Sequence, residues 1–158
     1  VKKNNPDHKG VIMKILVCET CGHIEFNEAP EKCLVCRSPR EAFQENSEAI
    51  EKPGVEGRAE TDDKHIPKIV VNRECGLIPG GGCLDVHVKV GEVEHPMLEA
   101  HFIRYIDYYL DYRFISRIWL SPEVCHPAAA LHLKADSGTV TVIENCNKHG
   151  NWMSETTL

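Results

Sequence analysis

No stretch of this sequence is apolar for anything near the ~20 residues that span a bilayer, so no helical membrane anchor is expected. A basic-then-apolar leader is missing too, since residues 1–10 are polar. Positive charge is scarce. Eighteen Lys and Arg stand against 24 Asp and Glu, a formal net charge of −6. That balance argues against a nucleic-acid-binding surface, which rests on a basic patch. These absences predict a cytoplasmic protein with neither membrane nor nucleic acid as partner. Internal repeats and low-complexity tracts are also lacking. The hydrophobic fraction of 42% and charged fraction of 27% are ordinary for a globular protein, and 158 residues suffice for one domain or two small ones.

Against these absences stand eight cysteines and nine histidines. In a reducing compartment, closely spaced cysteines hold metal more often than they form disulfides. Four of the eight lie in one segment: Cys18-Glu-Thr-Cys21-Gly22-His23, then Cys33-Leu-Val-Cys36-Arg37. Two C-x2-C pairs form two tight turns whose thiolates converge around Zn²⁺ or iron. Residues 17–43 resemble the small rubredoxin-like domain of rubrerythrins. Arg37 stands where rubredoxins usually carry glycine. His23, just after the first pair, is expected at the surface.

The chain then divides as follows. Residues 1–12 read as a loose tail, 13–45 as the four-cysteine metal domain and 46–61 as a linker, with Pro53, Gly54 and Gly57 and no periodic apolar face. Residues 62–158 read as β. Ile66 to Val71 is a β-branched run. Leu84 to Val90 alternates, with Val86 and Val88 on one face and Asp85, His87 and Lys89 on the other. His87 therefore faces solvent and falls outside any metal set. The segment 102–120 fits a helical stripe or two strands. Its density of Ile, Tyr, Phe and Trp favours two strands turning near Asp111-Tyr112-Arg113. Residues 128–133 and 139–144 complete the strands, with Ser137-Gly138 as the turn between them. Short strands spaced by turns predict an antiparallel sandwich.

A second cluster of metal-binding types lies in this β region. His65 precedes Ile-Pro at the start of a strand. His95 precedes Pro96, and His101 follows six residues later. Cys146 and His149 sit in Cys146-Asn-Lys-His149-Gly150. Imidazoles suit Fe²⁺, and a thiolate donates more electron density than any oxygen ligand. The ordered set Asp63-Lys64-His65-Ile-Pro, His95-Pro-Met-x3-His101 and Cys146-Asn-x-His149-Gly-Asn-Trp152 resembles the superoxide reductase family, the desulfoferrodoxins and neelaredoxins, over roughly residues 62–153.

That resemblance implies an immunoglobulin-like sandwich holding a mononuclear non-haem iron. It implies four equatorial nitrogen ligands from His65, His95, His101 and His149, an axial thiolate from Cys146, and one-electron reduction of superoxide to hydrogen peroxide in oxidative-stress defence. Lys64 matches the lysine beside the open iron position. Asp63 stands where the family usually has a glutamate able to ligate ferric iron. A rubredoxin-like electron donor and a homo-oligomer, dimer or tetramer, are further implications. Desulfoferrodoxins have adjacent third and fourth cysteines, whereas Cys33 and Cys36 here are separated by two residues. The loop with Cys75 and Cys83 is an insertion relative to the family, and those thiols and Cys125 read as spare. Two other readings stay open. One is a non-enzymatic rubredoxin-type electron carrier. The other is a zinc-stabilised structural or dimerisation module joined to an iron-binding sandwich.

Overall fold

The structure is a computed structural model and describes residues 13–158. The expected tail over residues 1–12 lies outside the described residues. The chain divides into two units between Ser47 and Glu48.

In the first unit, β1 (Ile15–Cys18), β2 (Ile24–Phe26) and β3 (Phe43–Glu45) form an antiparallel sheet in the order β2-β1-β3. Cys18, Cys33 and Phe43 form a buried cluster, with Leu16, Ala29 and Val35 packed against them, and Ile24 and Phe26 of β2 are buried as well. A core of this size is marginal by itself, and a metal bound by the thiols would add to it. His23 is not at the surface as expected. It is buried, with Nε2 2.8 Å from Glu25 Oε1 and its ring edge-on to Phe43 at 6.3 Å. The carboxylate beside it makes that burial tolerable.

The second unit opens with helix α1 (Ala59–His65). Seven strands follow: β4 (Pro67–Asn72), β5 (Leu84–Val90), β6 (Ile103–Leu110), β7 (Arg113–Trp119), β8 (Ala128–Leu133), β9 (Thr139–Cys146) and β10 (Gly150–Thr157). Every ladder is antiparallel. The sheets are β10-β9-β6-β7 and β4-β5-β8. Val86, Val88 and Val90 of one sheet meet Ile103, Ile106, Tyr108, Val140 and Val142 of the other in a single core. The result is the expected mainly β, immunoglobulin-like sandwich.

The local chemistry explains the strands. In β5 the even-numbered residues are buried, while His87 and Lys89 are exposed. The β6–β7 connection is two residues, Asp111 and Tyr112, at φ 48° and 62°. Two positive φ values make the primed turn whose twist suits a hairpin. The apolar density of 102–120 has a cause as well. Inward-facing Ile106 and Tyr108 enter the core, while outward-facing Tyr105 and Tyr109 lie under Trp119 (5.1 Å) and Phe114 (5.6 Å) of β7. Both faces are therefore apolar, which blurs the two-residue period.

One expectation needs correction, and the structure adds to others. The linker of 46–61 is in part folded into the second unit. Ile50 bridges Asn151, Glu51 N–H donates to the Asn151 carbonyl (2.8 Å), and Gly54 N–H donates to the Asp62 carboxylate (2.7 Å). His65 stands at the entry to a strand as expected, β4 starting at Pro67, but it also closes a helix that was not foreseen. Ser137-Gly138 lies between β8 and β9 as expected and carries the chain from one sheet to the other. Strand β10, not foreseen, pairs with β9 along its whole length. No described helix is long and apolar enough to cross a membrane.

Candidate metal centre

Three segments of the second unit supply five ligand atoms. The first is the end of α1. His65 Nδ1–H donates to the Thr61 carbonyl one turn back (2.6 Å), so the Nε2 lone pair is left bare. Trp152 of β10 stacks on the same ring, with centroids 5.1 Å and planes 24° apart. The end of β5 clasps this turn of the helix: Gly91 N–H donates to the Ile66 carbonyl and Val93 N–H to that of Asp63 (3.1 and 3.2 Å). Gly91 has φ 83°, and a Cβ there would collide with the Val93 carbonyl and stand 2.6 Å from that of Lys64. Only glycine fits this approach.

The second segment is the loop 95–101. Pro96 keeps His95 extended, and His95 Nδ1–H donates to the Pro96 carbonyl (2.6 Å), again freeing Nε2. His101 closes a tight turn by exchanging backbone hydrogen bonds with Leu98 (3.0 and 2.8 Å). The third is the β9–β10 hairpin. Cys146 ends β9, three loop residues follow, and Gly150 at φ 76° pairs back with Cys146. A three-residue loop closed by a left-handed residue is a standard hairpin solution. It places His149 beside the thiol.

The ligand atoms of His65, His95, His101, Cys146 and His149 all lie within 4.8 Å of one another. His65 Nε2 is 3.1 Å from His95 Nε2 and 3.1 Å from His149 Nδ1. His101 Nε2 is 3.2 Å from His149 Nδ1, and Cys146 Sγ is 3.6 Å from the same atom. Ligands at right angles about 2.1 Å from a common centre stand about 3 Å apart. Two bare nitrogen lone pairs facing each other at 3.1 Å repel unless a cation lies between them. The residues therefore fit a metal ion bound by four nitrogens and one sulfur.

Electrostatics agree with that donor set. Burial pushes the pKa values of His65 and His95 down to about 4, and that of His101 down too, so these three imidazoles are neutral ligands near pH 7. Burial raises the Cys146 thiol, while the N–H groups of Lys148 and His149 oppose the rise. A bound cation overrides the burial effect and leaves a thiolate. Two residues before Cys146, Glu144 is buried between the sheets with no hydrogen-bond partner for either oxygen among the described residues. Burial raises its pKa well above the carboxylate range, which keeps the carboxyl neutral beneath the sulfur.

His65, His95 and Cys146 are buried, His101 is half-buried and His149 is exposed, so the site opens on the His101–His149 side. Lys64 lies near that side: its charge, with that of Lys148, lowers the His101 pKa after burial and His149 have done so. Its ammonium is 2.6 Å from Glu60 in an exposed pair along the helix. The Asp63 side chain is exposed and does not join the converging set. Lys148 and Arg58 escaped the sequence reading. Lys148 is next to His149 and shares a shallow surface hollow with it and Arg58. Arg58 lies over the Trp152 ring at 5.2 Å and donates to Glu51 (2.9 Å). Lys148 lies within a motif already singled out. Nothing local marks Arg58.

In the first unit, Cys18 Sγ is 3.7 Å from Cys36 Sγ and Cys21 Sγ is 3.6 Å from Cys33 Sγ. All eight cysteines of the chain are free thiols. Four sulfurs about 2.3 Å from a tetrahedral centre stand about 3.8 Å apart, so this set fits Fe or Zn²⁺. The two turns are alike. Gly22 N–H donates to the Cys18 carbonyl at φ 72°, and Arg37 N–H to the Cys33 carbonyl at φ 67°. The left-handed region costs a non-glycine residue about 1–2 kcal/mol, offset in part by the greater unfolded freedom of glycine. Arg37→Gly is therefore expected to stabilise the first unit by about 0.5–1 kcal/mol, measured as a higher denaturant midpoint for metal release.

Comparisons with known proteins agree with this geometry. The desulfoferrodoxin family model matches residues 57–155, and the rubrerythrin rubredoxin-like domain matches residues 17–44. A desulfoferrodoxin of Syntrophotalea carbinolica is 30% identical, covering 90% of this chain and 96% of its own. A superoxide reductase of Pyrococcus furiosus is 30% identical, covering 61% and 89%. The solved superoxide reductase of Nanoarchaeum equitans superposes with a TM-score of 0.53 at 28% identity, covering 61% and 94%. With the family match spanning the whole metal-bearing sandwich, this chain belongs to the desulfoferrodoxin family.

Proposed function

We propose that this protein is a superoxide reductase, an oxidoreductase that converts superoxide, one electron and two protons to hydrogen peroxide. The observation that carries this reading is the convergence of four imidazoles and one thiol at a site with a single open side. His65, His95, His101 and His149 would hold the iron by nitrogen and Cys146 by sulfur. Iron held there would supply the electron that reduces superoxide.

The remaining work falls to the chain. Burial of His65, His95 and Cys146 closes the floor of the site to water. Lys64 and Lys148 set a positive patch at the mouth of a protein whose net charge is −6. Such a patch draws in a small anion and raises its on-rate. The Lys64–Glu60 pair is exposed and weakly held, so the ammonium is free to turn toward an arriving anion and hold a water that donates protons. Asp63 has no ligand role in this reading. Lys64→Met is expected to slow the reaction with superoxide roughly tenfold and to flatten its dependence on ionic strength. Asp63→Ala should leave the rate within about twofold. Stopped-flow or pulse-radiolysis rates over a salt series compare the two.

The four-cysteine unit takes Fe or Zn²⁺. A rubredoxin-like protein is the proposed electron donor, and a dimer or tetramer the proposed assembly. Edge strand β7, with Ile115 and Trp119 exposed, supports self-association. Free thiols throughout the chain fit a reducing compartment such as the cytoplasm. The test of function is to mix the reduced, iron-loaded protein with pulsed superoxide. One peroxide should form per superoxide consumed, and the iron should oxidise far faster than free Fe²⁺. Oxidation no faster than that of free Fe²⁺, with no peroxide, sinks the reading.

A further inference from the structure

Cys75 and Cys83, which read as spare thiols, are not isolated in the fold. The loop from β4 to β5 returns Cys75 to the outer face of the β4-β5-β8 sheet, close to Cys83 at the start of β5. Asp85 of β5 and His132 of β8 are direct register partners, and both point to the same outer face. Sγ of Cys75 and Sγ of Cys83 lie 3.4 and 3.3 Å from His132 Nδ1. Cys83 Sγ is 3.8 Å from Asp85 Oδ1, which is 2.7 Å from His132 Nδ1. The four ligand atoms lie within 4.8 Å of one another. The second carboxylate oxygen, Oδ2, accepts from Asn72 Nδ2 (3.4 Å), which orients Oδ1 toward the cluster.

We propose that Cys75, Cys83, Asp85 and His132 form a third metal site that binds Zn²⁺ and staples the glycine-rich β4–β5 loop to the sheet. Two thiolates, one imidazole and one carboxylate make a complete four-coordinate set, the pattern of a structural zinc. Ligands at about 2.0–2.3 Å in a tetrahedron stand about 3.3–3.8 Å apart. The sulfur–nitrogen and sulfur–oxygen separations already fall in that range. The His132–Asp85 contact, at 2.7 Å, would have to open by about half an ångström. Binding releases the two thiol protons. The set leaves no position for substrate, so the zinc is structural. Its ligands are distinct from those of the iron centre, and the site stands whether or not the chain reduces superoxide.

The test is total metal per chain in the full-length protein prepared under reducing, metal-replete conditions. Three ions per chain, iron plus zinc, are expected. A total of two overturns the proposal. His132→Ala and Cys75→Ser then locate the third ion. Each should lose one zinc and keep its iron, with the superoxide rate within about twofold of the parent. Both positions are accessible at the outer face, so the core is left intact. In the parent protein, Co²⁺ exchanged for zinc should give tetrahedral d–d bands with a sulfur-to-cobalt charge-transfer band, part of which both variants lose. Unchanged zinc in both variants overturns the site. So does a thiol count two short in the denatured, unreduced protein, which would mark a Cys75–Cys83 disulfide.

Discussion

Cys146→Ser should lower the rate of superoxide reduction by more than about a hundredfold and remove the thiolate-to-ferric colour of the oxidised protein. The four-cysteine centre of the first unit should keep its metal. Cys146 is the one soft donor in the set, sits 3.6 Å from His149 Nδ1, and accepts from the Lys148 N–H at 3.4 Å. Serine keeps the size and the backbone contacts. Its hydroxyl is far less acidic than the thiol and donates less density to iron. The fold should therefore survive while the chemistry fails. The measurements are the visible spectrum after oxidation and the pulsed-superoxide rate. A retained blue band would mean that another residue is the sulfur ligand.

The largest expected loss of stability lies in the β6–β7 hairpin, away from the ligands. Arg117 Nε and Nη2 donate to both oxygens of Asp107 at 2.6 and 2.7 Å, and the two side chains are 3% and 2% exposed. The guanidinium also lies over Tyr105 at 3.4 Å from the ring centre. Removing one partner strands the other charge in the interior. Asp107→Ala should therefore cost about 3–5 kcal/mol, read from denaturant unfolding of the second unit. The double variant Asp107→Leu with Arg117→Met should recover most of that loss, because no charge is left buried. A single-variant loss under about 1 kcal/mol would mean that the pair is solvated in solution.

The sequence exposed the donor sets because chemistry restricts them to few residue types at characteristic spacings. Cys146-Asn-Lys-His149 is legible since a three-residue hairpin loop is short, and the two C-x2-C pairs since each is a single turn. The alternation of β5 is legible since one face meets the core and the other meets solvent. Helix α1 was not legible: its buried residues are Asp62 and His65, both polar, so no apolar stripe marks it. Strand β10 hides for a related reason, as Ser154, Glu155, Thr156 and Thr157 give it little β-like apolar character. Asp85 and His132 become neighbours only through the β5–β8 register, which spacing along the chain does not encode. The pairing of the Lys64 ammonium with Glu60, one helical turn away, was not legible either. That pairing could be seen only once residues 59–65 were known to be helical.

His65 and His149 are 84 positions apart, and their ligand nitrogens are 3.1 Å from one another. An ion between them ties the end of α1, the 95–101 loop and the β9–β10 hairpin into one closed ring. Thermodynamically it is a reversible cross-link. It favours the folded chain by about 1.4 kcal/mol for every tenfold rise in free ion above its dissociation constant. The stability of the folded sandwich is thereby tied to the free iron around it.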